Sequence, residues 1–281
     1  MVSIAITATA RNLDSTLRDW CSYHLSAVDR IYLWLDDPRE ASSPVIPSDD
    51  RIRVRVGAQC TANSRHGDLM FRQNENTNRA LHSCCKRGID WLIHLDTDEL
   101  LSTPTRKILH RNLPTGFGNI TIPNHEVCSQ WAATNPFRQC HYFKLSGKVP
   151  FDLYGNGKSA VRCHPGVHAL DPHLFAGYQG ESGEATSLTV LHYACATYDR
   201  WLRKYATLGD FSDFWWDDPA YPIELSFHLK SRDIYKQCLR EGSFAPAKGF
   251  WKRHIFSSNQ LNVLVQERKV AWYDPLSKPR R

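Results

Sequence analysis

The sequence predicts an α/β protein: a mixed, mostly parallel sheet flanked by helices, with a C-terminal helical extension. Three observations predict it. Apolar runs rich in Ile, Val and Thr alternate with segments of helical spacing through the first part of the chain, the pattern of strand–helix–strand units. Two of these runs end in acids, at Asp36-Asp37 and at Asp96-Thr97-Asp98, where the carboxyl ends of parallel strands gather ligand sites. Beyond residue 100 the runs shorten, then give way to long amphipathic segments.

Each element can be justified in turn. "VSIAITATA" reads as the first strand. "RNLDSTLRDWCSYHL" sets Leu13, Leu17, Trp20, Cys21 and Leu25 at helical spacing, with Asn12 as the expected N-cap. "RIYLWLDD" is a second strand and the alternating "RIRVRV" a third. "NTNRALHSCCKRGID" has helical spacing at Ala80, Cys84 and Cys85, and "WLIHLDTDEL" is a fourth strand. "GNITIPNHEV", "HYFKLS", "GKSAVRC" and "TVLHYA" predict shorter strands with irregular connections. "YDRWLRKYATLGDF" and "ELSFHLKSRDIYKQCLRE" predict helices, and the tail from Gly249 has no clear pattern.

Composition bounds the class. The 281 residues suit one large domain, 42% hydrophobic and 23% charged, enough for a sizeable core. No apolar run reaches the roughly 20 residues of a membrane span. "MVSIAITATA" lacks the basic start of a leader, so a soluble, cytoplasmic protein is expected. The nine cysteines are odd in number and irregular in spacing, which predicts free thiols rather than a disulfide framework or a zinc site. The formal charge of +6 is scattered apart from "KPRR" and "WKRH". That disfavours a nucleic-acid groove and suits a phosphorylated small molecule, or peripheral contact with an anionic membrane surface.

The acids after the fourth strand carry the chemistry. Residues i and i+2 of a strand point to one side, so Asp96 and Asp98 can converge on one ion. Two close carboxylates repel unless a cation sits between them, and Mg²⁺ or Mn²⁺ with substrate phosphate resolves that repulsion. The tripeptide alone suits a solvated turn equally well. Bland readings also stand beside the other polar residues. Asp36-Asp37-Pro38 suits a turn, Asn74, Asn76 and Asn78 suit a helix start, His192 suits a core histidine, and Trp215-Trp216 suits hydrophobic anchoring.

Order and spacing of four segments resemble the GT-A nucleotide-sugar glycosyltransferases, specifically the family 2-like and family 92 group. They are "ARNLDSTLRDWCSYHLSAVDRIYLWLDD", "RQNENTNRALHSCCKRGIDWLIHLDTDELL", "GKSAVRCHPGVHAL" and "LTVLHYACATYDRWLRKY", together spanning roughly residues 3–205. The resemblance implies a GT-A (Rossmann-like) domain over 1–210, with a donor half to about 105, an acceptor half over 106–210, and a helical extension over 211–281. It implies that Asp36 or Asp37 receives the nucleoside beside Arg11. Arg72, Asn74 and Asn78 would border ribose and diphosphate. Asp96, Asp98 and His192 would hold Mn²⁺ or Mg²⁺, and Lys158 and Arg162 would face diphosphate or acceptor.

The implied reaction is inverting transfer of a hexosyl or deoxyhexosyl group from a nucleoside diphosphate sugar, UDP favoured, to a glycan or glycoconjugate hydroxyl. Glu126, Asp171 and His168 are the candidate bases for the acceptor proton. "NHEVCSQW" stands where the family usually has an aromatic and a glycine-rich turn, a departure that leaves the acceptor type open. Two rivals are a metal-dependent phosphohydrolase using the same acids and a non-catalytic nucleotide- or sugar-binding module.

Overall fold

The structure, a computed structural model, describes residues 2–59, 65–211, 213 and 226–277, with 65–68 described by backbone alone. Trp215-Trp216-Asp217-Asp218 and the terminal "KPRR" lie outside the described residues.

The first part of the chain runs β1 (Ile4–Ala10), α1 (Thr16–Leu25), β2 (Arg30–Leu35), a 3₁₀ turn (Pro38–Ser42), β3 (Ile52–Val56), α2 (Arg65–Arg87), β4 (Trp91–His94) and β5 (Glu99–Leu101). Strands β4, β1, β2 and β3 lie side by side and parallel. The largely apolar sequences of β1, β2 and β4 follow from burial on both faces, whereas β3, at the edge, alternates and is partly exposed. Ile4, Ile6 and Ala8 of β1 pack in one cluster with Leu17, Trp20 and Cys21 of α1. Ala5 packs in another with Ala80, Leu81 and Cys84 of α2. The alternation of a strand thus sends successive residues to helices on opposite faces.

Helix α1 begins at Thr16, not beside Asn12. Asn12 sits in the left-handed region at φ 55°, and the Asp14 carboxylate accepts from the Thr16 N–H at 2.9 Å, so this loop turns before the helix starts. Helix α2 extends well upstream of the predicted segment, through a stretch with few apolar residues. The run "WLIHLDTDEL" is divided. Strand β4 ends at His94, and β5 leaves the central sheet for a second one.

The chain continues through α3 (Arg106–Asn112), β6 (Phe117–Ile122), β7 (Asn124–Val127), α4 (Pro136–Gln139), β8 (Tyr142–Lys144), β9 (Lys158–Arg162), β10 (His168–Asp171), β11 (Leu174–Ala176), β12 (Glu181–Glu184), β13 (Val190–His192) and α5 (Tyr198–Leu208). It ends with α6 (Ser226–Glu241), α7 (Ala245–Lys252), α8 (Ser258–Gln266) and β14 (Val270–Trp272). Strand β9 joins the central sheet antiparallel to β4, followed by β6 and β12. The sheet is therefore mixed but mostly parallel, with helices on both faces, as the sequence predicts.

The second sheet has the order β14-β8-β7-β13-β5. The patternless tail supplies its edge strand, because β14 pairs with β8. Helices α5, α6 and α7 share an aromatic cluster of Trp201, Tyr205, Phe227, Phe250 and Trp251. The Trp251 indole N–H donates to the Gln130 carbonyl at 3.1 Å, tying α7 to the body of the chain. No helix among the described residues is long and apolar enough to cross a membrane.

Candidate functional site

A cleft of about 1080 Å³ opens at the carboxyl ends of β1, β2 and β4. Its floor holds Asp36 after β2 and the Asp96–Asp98 turn after β4, and α2 contributes Met70, Arg72 and Gln73. The loop from Leu153 to Asn156 and the β10–β11 tip at Asp171–His173 form one wall, and α5 forms another.

At one end Asp36 is fully engaged. Arg72 donates to it through Nε at 2.5 Å and Nη2 at 3.2 Å, and Arg11 through Nη1 at 3.0 Å. Asp37 turns away. It caps the 3₁₀ turn through the Arg39 N–H and pairs with the exposed Arg39 guanidinium at 2.6 Å. Of the two acids expected beside a nucleoside, only Asp36 lines the cleft.

At the other end, Asp96 meets two donors. Lys158 Nζ lies 2.7 Å from Oδ2 and Gln73 Nε2 lies 3.0 Å from Oδ1. Burial pushes the Asp96 carboxyl up, but Lys158, with His94 and His173, outweighs it and holds the group below the usual range. Lys158 is itself buried where it lines the cleft, with its ammonium committed to Asp96. Gly157 delivers it there: at φ 72° and against the Ile122 carbonyl, only glycine fits.

Glu99 is buried beneath the turn. One oxygen accepts from the Asp96 N–H at 2.7 Å, and the other has no hydrogen-bond partner. Burial pushes Glu99 well above the ordinary carboxyl range, with Asp96 and Asp98 adding to it against Lys158 at 3.8 Å. Asp98 is also raised, first by burial and then by Asp96, while Lys204 and Arg200 pull it back.

His192 reaches the same region from β13, paired in register with Glu99 of β5 and Glu126 of β7. Burial, then Lys204 and Lys158, hold its imidazole well below its ordinary pKa, so it is neutral. The Tyr154 ring lies 4.6 Å from the His192 ring and 4.5 Å from that of His173. Asp98 Oδ1 and His192 Nδ1 are both buried without a hydrogen-bond partner.

These atoms bear on a metal. Among the described residues, no group of three His, Cys, Asp or Glu stands close enough to hold an ion alone. Asp96 is engaged by Lys158, while Asp98 and His192 keep unpartnered atoms. That donor set fits a hard ion arriving with phosphate oxygens, which needs only one or two carboxylates, and not a closed protein cage.

Several expected site residues serve the framework instead. Asn74 Nδ2 donates to the Leu170 carbonyl at 2.9 Å and Asn78 Oδ1 accepts from the Ala169 N–H at 2.8 Å, so both fasten α2 to β10. Arg162 lies over the Trp91 ring at 5.5 Å and donates to the Phe117 carbonyl, away from the cleft. Glu126 is buried under the loop behind the cleft wall, accepting from the Asp152 N–H at 2.8 Å. Burial and Asp152 lift it to about 7 against Lys144. His168 is exposed and bonded to the Gly166 carbonyl. Of the three candidate bases, Asp171 alone lines the cleft, its carboxyl raised by burial.

Sequence reasoning missed Gln73, Tyr154, His173 and the α5 cations. The last left a signal: Arg200, Lys204 and Thr207 recur at i, i+4 and i+7 beside the buried stripe of Trp201, Tyr205 and Leu208. Tyr154 and His173 have no local signature.

Comparison with known proteins gives two similar chains from Arabidopsis thaliana, both described as glycosyltransferase-like. One is 30% identical over 191 residues, covering 57% of this chain and 42% of the relative. The other is 26% identical over 246 residues, covering 69% and 46%. The chain thus spans less than half the length of either relative. No family model matches. Among solved structures, mannose-1-phosphate geranyltransferase of Thermus thermophilus aligns at TM-score 0.32 and 12% identity, over 89% of this chain and 68% of that one. The 4-diphosphocytidyl-2C-methyl-D-erythritol synthase of Anaerococcus prevotii aligns at TM-score 0.31 and 12% identity, over 57% and 70%. Likenesses this distant say nothing about activity.

Proposed function

We propose that the protein is a metal-dependent, inverting glycosyltransferase. It moves a sugar from a nucleoside diphosphate, UDP favoured, to a hydroxyl of a glycan or glycoconjugate. One observation carries the reading: the Asp96–Asp98 turn, the neutral His192 and the arginine-held Asp36 open onto one cleft at the carboxyl ends of parallel strands. Similarity to two glycosyltransferase-like proteins supports it. Preference for UDP and inversion rest on the sequence resemblance to the family 2-like and family 92 group.

In this reading Asp36, Arg11 and Arg72 receive the nucleoside end of the donor. Asp98 and His192, with Asp96, hold Mn²⁺ or Mg²⁺, which supplies charge neutralisation to the departing diphosphate. Asp171 accepts the proton of the attacking hydroxyl. Burial raises its carboxyl, which strengthens it as a base. Tyr154 and Leu153 narrow the cleft and exclude water from one side. The test is a donor screen with UDP-, GDP- and dTDP-sugars and Mn²⁺, reading nucleotide release and thermal shift. Stabilisation by a nucleotide diphosphate, with release dependent on acceptor, is expected. No response to any nucleotide overturns the reading.

A further inference from the structure

The cations of the cleft are not equally free. Arg11 and Arg72 are committed to Asp36, and Lys158 to Asp96. Arg200 is committed to Asp14 at 2.8 Å, and Arg203 leans on the same carboxylate at 3.9 Å. Lys204 lines the cleft from α5, one turn beyond Arg200, and no carboxylate among the described residues lies within ion-pair distance of it. Its position is fixed from behind. The Thr197 cap and the buried Trp201 and Tyr205 set the face that α5 turns to the cleft, and Asn12 grips Thr207 at 3.2 Å. Its charge acts on Asp98 and His192, which line the same cleft and each keep a buried atom without a partner.

We propose that Lys204 is the cation that receives the terminal phosphate of the nucleoside diphosphate. This inference rests on the glycosyltransferase reading and adds a residue to it. An ammonium on a half-buried stem, with no partner of its own, costs no ion pair to recruit. In transfer, the bond between the anomeric carbon and the terminal phosphate oxygen breaks, and the electron pair stays on that oxygen. The acceptor oxygen bonds to the anomeric carbon and its proton passes to Asp171. Lys204 stays protonated and donates a hydrogen bond to the oxygen that gains charge. Such a donor acts more strongly on the departing diphosphate than on the intact donor.

The experiment is calorimetric titration of wild type, Lys204→Ala and Lys204→Arg in Mn²⁺. The ligands are UDP, GDP and dTDP with their monophosphates, alongside turnover of the best donor. Lys204→Ala should weaken the diphosphate about tenfold, the usual scale of one charge-assisted hydrogen bond, and the monophosphate less than twofold. It should lower kcat about 10²-fold with a smaller change in KM, and Lys204→Arg should restore much of both. Equal melting temperatures would show that the variants fold. If Lys204→Ala weakens monophosphate and diphosphate alike, or neither, the assignment of Lys204 is overturned while the function stands. If wild type binds no nucleotide, both readings fall.

Discussion

Asp36 and Asp98 stand at the ends of the two strands that flank β1, and both face the same cleft. Their surroundings differ. Asp36 is held by two guanidiniums, one of them nearly buried. Asp98 has a buried oxygen with no partner, under the repulsion of Asp96. A buried polar atom left unpartnered costs about 1–3 kcal/mol. The Asp36 end is held by the chain's own cations, whereas under the proposed function the Asp98 end would be completed by metal and donor.

The largest effect that would break this comparison is at Asp98. Asp98→Asn should lower transfer by about 10³-fold and remove the metal dependence of donor binding. It should leave the melting temperature unchanged or raised, because a buried repulsive carboxylate is lost. Normal turnover in excess chelator, or a variant that unfolds, would sink the contrast. Asp171→Asn should lower transfer by about 10²-fold and spare donor affinity, while His168→Ala should stay within a few-fold in steady-state assays.

At the other end the loss is in stability. Asp36→Asn should cost about 3 kcal/mol in denaturant unfolding, since it strands Arg72 without its partner. A loss below about 1 kcal/mol would mean that Arg72 finds water instead.

The smallest effect, per pH unit, is a slope from the framework. His24 is buried, donates through Nδ1 to the Trp20 carbonyl, and accepts through Nε2 from the Leu101 N–H. Burial lowers it to about 3 from an ordinary 6.5. The unfolded chain therefore binds a proton that the fold excludes. Its contribution is complete above pH 6.5 and falls as pH drops towards 3, by about 1.4 kcal/mol per unit. His24→Asn should reduce the acid slope by one proton, read from urea unfolding at a series of pH values. An unchanged slope would place the uptake at His94 or His173, which burial lowers to about 4 and about 3.

The donor-side strands were legible because their cause is local. The runs at 4–10, 30–35 and 91–94 are largely apolar, and acids follow the second and third of them within two residues. Asn74 and Asn78 misled because an exposed-looking polar pair on a helix gives no hint that a hairpin a hundred residues later will cover it. Glu126 misled for a similar reason: the loop whose N–H groups it accepts begins at Asp152, far along the chain. The edge strand β14 was illegible because three residues carry too little period to be read without the partner β8.

By itself the sequence determined the alternation of strands and helices, the placement of acids at two strand ends, and the apolar faces of α1 and α5. These follow from spacing within a few residues, where backbone geometry alone decides which side chains share a face. Only the tertiary structure decided that Lys158 would close on Asp96 and that Asp37 would turn outward while Asp36 gathered two arginines. It also decided that α5 would bring Lys204 to the cleft that Asp98 and His192 line. Those outcomes depend on which distant charges the folded chain sets against each carboxylate, and burial, the quantity that makes such pairs matter, exists only once the chain has closed around them.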